Sequence, residues 1–348
     1  MRLLALFLIA FTAFADSTIL KPRRTRQTPL IRGGALSGDA RTLFTWGDGL
    51  RLWNLPGLQA KTLSDGPFAD GGCLMDGGLI LQNGTQSNLA GNPLTDPGLG
   101  DLTIRRAPDW KPELIDTLVG MHECLSVTLL GHRGFLMIHR FSQVRFYEPP
   151  AKRGHPWTST DLYSIYTPSK QTGLLLADID GDGRTDILCG NYWIKSPTSF
   201  ELPWRLFAIN TYSEVDDSAM LQLALTSPAD NLIVSQGHMR EARLTWFEKP
   251  DDPSRLWIGH RLADELHLVN PHALAAADLN ADGKIDFLVG ERNEADSRLF
   301  AFWKERGAFR AERIGRGSEM ISIWKLDGKS LLSIGPAAVT LWTYDFRK

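Results

Sequence analysis

The sequence is poor in cysteine, has no excess of either charge and, past its first fifteen residues, has no long apolar run. Three cysteines in 348 residues cannot form a disulfide scaffold. Lys and Arg number 38 against 40 Asp and Glu, a formal net charge of -2. A chain so balanced has no basic surplus to neutralise a phosphate backbone, so no nucleic acid partner is expected. No later segment reaches the roughly 20 apolar residues that a bilayer crossing needs, so no membrane span is expected either. Apolar residues at helical 3.6-residue spacing are nearly absent. With 43% hydrophobic and 22% charged residues, the composition is that of a folded domain and excludes a disordered one.

What is present begins with MRLLALFLIAFTAFAD. Arg2 precedes an apolar run over residues 3–14, and Ala13-Phe14-Ala15 supplies a small-x-small cleavage pattern. This predicts a secretory signal peptide over residues 1–15 and a secreted, periplasmic or cell-surface protein. Cys73, Cys124 and Cys189 each lie among apolar or small residues, so buried free thiols are the simplest expectation. A Cys73–Cys124 bridge is the alternative.

The chain repeats itself. GLLLADIDGDGRTDILCG at 173–190 returns as ALAAADLNADGKIDFLVG at 273–290, an apolar strand, an Asp-rich turn and a second apolar strand. Aromatic residues at strand ends, often followed by Glu or Pro, mark the spacing at Trp53, Tyr147, Trp193, Trp246, Trp303 and Trp342. The intervals average about 48 residues once a missing mark near residue 100 is allowed for, which is the length of a four-stranded propeller blade. Blade-opening strands are predicted near residues 33–37, 70–75, 122–129, 172–177, 218–225, 272–277 and 319–324. The expected fold is an all-β, seven-bladed β-propeller of antiparallel four-stranded blades over residues 16–348. Residues 25–33 are expected to give the last blade its fourth strand, leaving no open sheet edge. A split into two domains near residues 149–156 is the alternative, although the repeat spacing runs through that stretch.

The Asp-rich turns carry the clearest chemistry. Asp178, Asp180, Asp182 and Asp186 stand at positions 1, 3, 5 and 9 of a loop, with Gly183 at position 6. Alternate spacing gathers the carboxylates on one side of a tight turn, and the carbonyl of Arg184 at position 7 can join them. Asp278, Asn280, Asp282 and Asp286, with Gly283 and the carbonyl of Lys284, repeat the set. Hard anionic oxygens in this number suit Ca²⁺, and two calcium sites are expected. A hairpin turn alone needs Asp, Asn and Gly, but four mutually repelling donors destabilise one that holds no cation.

LADIDGDGRTDILCG and AADLNADGKIDFLVG, with the aromatic-Glu-Pro strand ends, resemble the FG-GAP/VCBS repeats of integrin-type seven-bladed propellers. At motif strength the resemblance covers two of the seven units. It implies that bound Ca²⁺ stiffens a hairpin between the two inner strands of a blade, and nothing about catalysis.

Aligning the units brings a second set of residues to the channel mouth on the opposite face. Strand starts contribute Asp70, His122, His272 and Glu319. Second-strand ends contribute His139, Asn191, Tyr192, His238, Glu291 and Arg292. Among these His122, His238, His272 and Glu291 are the candidates for a metal or catalytic site. Two functions follow. One is a calcium-stabilised interaction module for a macromolecule, protein or glycan. The other is a carbohydrate-active enzyme, lyase- or hydrolase-like, with a His/Glu site at that mouth.

Overall fold

Runs of β-branched and apolar residues broken by Gly, Asp, Asn and Pro form strands of four to ten residues, and these assemble into seven four-stranded antiparallel sheets. The computed structural model describes residues 21–24, 30–55, 57–86, 98–166, 170–210, 221–227, 231–293, 296–305, 308–317 and 319–343. The signal peptide expected over residues 1–15 lies outside the described residues. The first strand of the chain, β1 (Lys21–Arg24), belongs to the last sheet. Blade one is β2 (Ile31–Leu36), β3 (Thr42–Gly47), β4 (Gly49–Asn54) and β5 (Gln59–Asp65). Blade two is β6 (Phe68–Met75), β7 (Gly78–Gln86), β8 (Leu99–Arg106) and β9 (Pro112–Val119). Blade three is β10 (Met121–Leu129), β11 (His132–His139), β12 (Gln143–Glu148) and β13 (Thr158–Ser164). Blade four is β14 (Leu174–Ala177), β15 (Asp186–Cys189), β16 (Tyr192–Lys195) and β17 (Arg205–Ala208).

Blade five is β18 (Leu221–Ser227), β19 (Asn231–Gln236), β20 (Leu244–Glu248) and β21 (Ile258–Leu262). Blade six is β22 (Ala273–Ala277), β23 (Asp286–Gly290), β24 (Ser297–Glu305) and β25 (Ala308–Gly317). Blade seven is β26 (Ser322–Lys325), β27 (Ser330–Gly335) and β28 (Ala338–Thr343), with β1 on its outer edge, Lys21 opposite Thr343 and Arg24 opposite Thr340. Helix is confined, among the described residues, to one 3₁₀ turn at Asp264–Leu266. The seven predicted opening strands match β2, β6, β10, β14, β18, β22 and β26.

The segment that completes the last sheet differs from the expected one. Residues 25–29 lie outside the described residues, and Ile31 to Gly33 open β2 instead. The reason is packing: Ile31 is buried with Leu332, Ile334 and Val339 of blade seven and Leu43 and Trp53 of blade one, a gap that a fourth-strand position would leave unfilled.

Among the described residues there is no single central core. Seven apolar clusters each fill the space between one pair of neighbouring blades, and together they run round the ring. Successive side chains of a second strand face opposite neighbours. Ile187 packs toward blade three and Leu188 toward blade five, both fully buried. That is why the second strands read as continuous apolar runs instead of alternating ones. The aromatic marks Trp53, Tyr147, Trp193 and Trp342 are buried in these clusters. Trp53 and Trp342 also donate their indole N–H to Thr45 and Ser333 of the adjoining second strand, each at 2.8 Å.

The cysteines depart from the simplest expectation. Cys73 of β6 and Cys124 of β10 form a disulfide across blades two and three, because the first strands of these blades lie side by side. Cys189 is a buried free thiol.

Candidate functional site

The two Asp-rich turns join the first and second strands of blades four and six, and three of their backbone-to-carboxylate bonds repeat atom for atom. Asp186 is opposite Ala177 in register, and Asp286 is opposite Ala277. The Asp186 carboxylate accepts the N–H of Ile179 at 3.0 Å, and that of Asp286 accepts the N–H of Leu279 at 3.1 Å. Gly183 and Gly283 donate to Asp178 and Asp278 at 2.9 and 3.1 Å. Both glycines have φ near +80°, where an L side chain costs about 1–2 kcal/mol. The amides of Arg184 and Lys284 donate to Asp182 and Asp282 at 3.0 and 2.9 Å. In the second loop the Asn280 oxygen accepts the N–H of Asp282 at 2.9 Å.

One oxygen each of Asp178, Asp180 and Asp186 lie within 4.8 Å of one another. Oδ1 of Asp180 and Oδ1 of Asp278 are buried with no hydrogen-bond partner among the described residues, a costly state for an anionic oxygen. Burial, and after it the charges of the neighbouring aspartates, push Asp186 and Asp286 up from 3.8 to about 6. Lys195 answers part of the charge, pairing with Asp180 and, at 2.8 Å, with Asp182. The guanidinium of Arg184 also pairs with Asp182. Lysines clamp the loops from the following blades: Lys249 donates to the Ile179 carbonyl at 2.8 Å, and Lys325 donates to the Asp278 carbonyl. Carboxylate and carbonyl donors with orphaned, buried oxygens fit a hard divalent cation of the Ca²⁺ class.

On the other face the innermost strands open into a cavity of about 270 Å³. His122, His238 and His272 all line it, together with Asp70, Glu123 and Arg292. The residues come from blades two, three, five and six. Irregular register aims several of them. The ladder of β2 slips between Ile31 and Gly33, that of β6 between Phe68 and Gly72, and that of β10 between Met121 and Cys124. Arg32, Asp70, His122 and Glu123 fall inside these slips, where one extra residue in β2 and β10 and two in β6 break the regular alternation of side chains across the sheet.

The imidazoles of His238 and His272 meet edge to face with centroids 4.9 Å apart. Their loops are tied together: Asn270 donates its N–H to the Met239 carbonyl at 2.8 Å, and the Asn270 carbonyl accepts the N–H groups of His272 and Arg292 at 2.7 and 2.8 Å. Nδ1 of His272 lies 3.2 Å from the Ile321 carbonyl. A carbonyl only accepts, so Nδ1 carries the proton and Nε2 keeps its lone pair. Burial lowers His122 to about 4 against the opposing pull of Asp70, and lowers His272 to about 3 with the help of His238 and Arg292. Glu123 accepts the N–H of Gly173 at 2.7 Å, yet burial raises it to about 7.

Glu291 does not join this group. It is fully buried and bound by Arg298 through Nε at 2.7 Å and Nη2 at 2.6 Å, with a further bond from the Val269 N–H at 2.8 Å. It ties the end of β23 to β24 and does not line the cavity. Glu123 is the glutamate that does; it follows His122 directly, and the slip in β10 carries both into the cavity, which regular period-2 alternation hides. Of the other aligned residues, Glu319 pairs with Arg292 at 3.7 Å, and His139 accepts the N–H of Gly120 at 3.3 Å.

No family profile matches this chain, and no curated protein matches it in sequence. Solved structures do match in shape. The β-propeller domain of Cps50 (Swd1) from Myceliophteria thermophila is 13% identical with a TM-score of 0.60, the match covering 92% of this chain and 98% of that one. U3-55K is 10% identical with a TM-score of 0.59, over 92% and 98% of the two chains. The WD40 repeats of RRP9 are 10% identical with a TM-score of 0.57, over 93% and 97%. At such identities the likeness speaks for the fold alone: the chain is a seven-bladed β-propeller with WD40-type structural neighbours.

Proposed function

We propose that this protein is an exported, calcium-stabilised β-propeller that acts as an interaction module for a protein or glycan. Ca²⁺ is held by Asp178, Asp180, Asp182, Asp186 and the Arg184 carbonyl in blade four. In blade six it is held by Asp278, Asn280, Asp282, Asp286 and the Lys284 carbonyl. The observation that carries this is the buried Oδ1 of Asp180 and of Asp278, each with no hydrogen-bond partner among the described residues. The FG-GAP/VCBS resemblance of the same loops agrees with it. The Cys73–Cys124 bridge suits export, since such bridges persist in oxidising compartments. The ion stiffens the inner hairpins, and the face at the channel mouth is left free to bind.

A calorimetric titration tests the ion. Two Ca²⁺ per chain are expected, one after Asp178→Ala and none after Asp178→Ala with Asp278→Ala; no saturable uptake by the unaltered protein refutes the calcium role. A glycan array run in parallel tests the partner class, with retention of intact glycans expected.

The enzyme reading keeps one specific support, the neutral histidines and the near-neutral Glu123 carboxyl in one cavity, a pairing suited to proton transfer. Shortened or unsaturated products released from the arrayed glycans favour it over simple binding.

A further inference from the structure

We infer that the channel mouth takes one acidic sugar unit, a uronate residue of a glycan, with Arg32 and Arg292 holding its carboxylate and Asp70 and His122 its hydroxyls. This rests on the reading of the protein as an interaction module and narrows the partner to a glycan of one charge class. Arg32 of blade one and Arg292 after the second strand of blade six line the same cavity, and Asp70 and His122 line it from blades two and three. The inner strands that carry three of these residues are packed tightly. A Cβ on Gly33 would lie 2.5 Å from the Asp70 carbonyl oxygen, and one on Gly71 would lie 2.6 Å from that of His122. Only glycine permits such an approach, and it fixes Arg32, Asp70 and His122 on adjoining strands before any ligand arrives.

Both guanidiniums are loosely engaged. Arg32 meets Asp70 through Nη1 alone at 3.3 Å, and Arg292 meets Glu319 through Nε at 3.7 Å, beyond hydrogen-bond range. Their remaining guanidinium nitrogens have no partner among the described residues. A guanidinium edge of this kind matches a carboxylate with two parallel bonds, and ion pairs so long and exposed yield readily to a ligand. The rings of His122 and the amide of Gln222, which also lines the cavity, have no hydrogen-bond partner among the described residues either. Burial keeps His122 neutral, so its ring offers one donor and one acceptor, as a sugar hydroxyl requires. At about 270 Å³ the cavity is at the small end of ligand pockets, which span roughly 300–1,000 Å³, and suits one sugar unit better than a length of peptide. Sulfate or phosphate would set a larger charge against Asp70 and leave the hydroxyl-binding groups unused. A neutral sugar would leave both guanidiniums without an anion.

The test titrates the Ca²⁺-saturated protein with short oligomers of glucuronate and of galacturonate, and with their methyl esters as neutral counterparts, by calorimetry. Saturable binding of an acid probe at least about tenfold tighter than its ester is expected, the worth of one charge-assisted hydrogen bond. Arg32→Gln and Arg292→Gln should each weaken it by a similar factor with the thermal midpoint unchanged, and Arg292→Lys should weaken it less. The acid-against-ester comparison needs no variant and decides alone if either variant does not fold. Equal affinity for acid and ester, affinity indifferent to both arginine variants, or displacement of the probe by equimolar sulfate overturns the uronate site. If arrayed neutral glycans are retained in the same experiment, the glycan reading survives that failure. If no glycan is retained at all, both fall.

Discussion

Asp186 and Asp286, a hundred residues apart in blades four and six, occupy the same place, each accepting the N–H of the residue seven positions before it. Both are raised from 3.8 to about 6, by burial first and by Asp178 and Asp182, or Asp278 and Asp282, second. A carboxyl whose folded pKa exceeds its unfolded value favours the fold in its protonated form. That stability is fully present below about pH 4 and is lost as pH rises through about 6, on the order of 2–3 kcal/mol for each group. In calcium-free buffer the thermal midpoint should therefore fall between pH 4.5 and 7.5 more steeply than in Asp186→Asn with Asp286→Asn. Comparing slopes removes the contribution of His122 and His272, whose lowered values act in the opposite sense. Saturating Ca²⁺ should abolish the difference. Equal slopes with and without the two carboxyls would refute this.

Lys195 lies where a cation belongs, paired with both Asp180 and Asp182. Its ammonium competes with any ion that the loop binds. Lys195→Met should tighten Ca²⁺ binding at the first loop several-fold, equivalent to about 1 kcal/mol for a partly exposed pair, and lower the calcium-free midpoint. Calorimetry on Lys195→Met in the Asp278→Ala background reads the first loop alone. Weaker binding there would make Lys195 an aid to the ion instead of a rival.

The cysteine arrangement has a count attached. Cys73 and Cys124 are bonded and Cys189 is buried, its thiol pushed well above the usual range by desolvation. Ellman's reagent should find no reactive thiol in the native protein, one after denaturation and three after reduction. Closing a loop of this length removes about 4 kcal/mol of unfolded-state entropy on the chain-entropy account. Cys73→Ser with Cys124→Ser should therefore show a markedly lower midpoint, and an unchanged one would count against the bridge.

Glu123 gives the channel mouth its own pH signature. Its carboxyl is raised from 4.5 to about 7 by burial, so stability is lost as pH rises through 7. Glu123→Gln keeps an oxygen for the Gly173 N–H and removes the ionisation. Between pH 6 and 8.5 the variant should lose less stability than the unaltered protein by roughly 1–2 kcal/mol, allowing for solvent that enters the cavity. Chemical denaturation at the two pH values measures this.

Local pattern carried far in this chain. Apolar strand runs, turn residues and the aromatic spacing located all seven opening strands, because each blade repeats one supersecondary unit. The Asp spacing located both loops and the glycines with φ near +80°. The channel mouth was only partly legible. His122, His238 and His272 line one cavity there, while Glu291 is bound by Arg298 and Glu123 lines the cavity in its stead. The slips at Arg32, Asp70 and His122 leave no mark in composition or period, since an extra residue in one strand is visible only against its partner.

By itself the order of residues determined the number of blades, the strand-loop-strand units and the oxygen-rich turns, all of which depend on contacts within about fifty residues. Only the closed ring decided which side chains share a space. It paired Cys73 with Cys124, set Ile31 between the first and last blades and brought three histidines from three blades to one cavity. Such meetings depend on how separate sheets pack and where their ladders slip, and no short stretch of chain encodes that geometry.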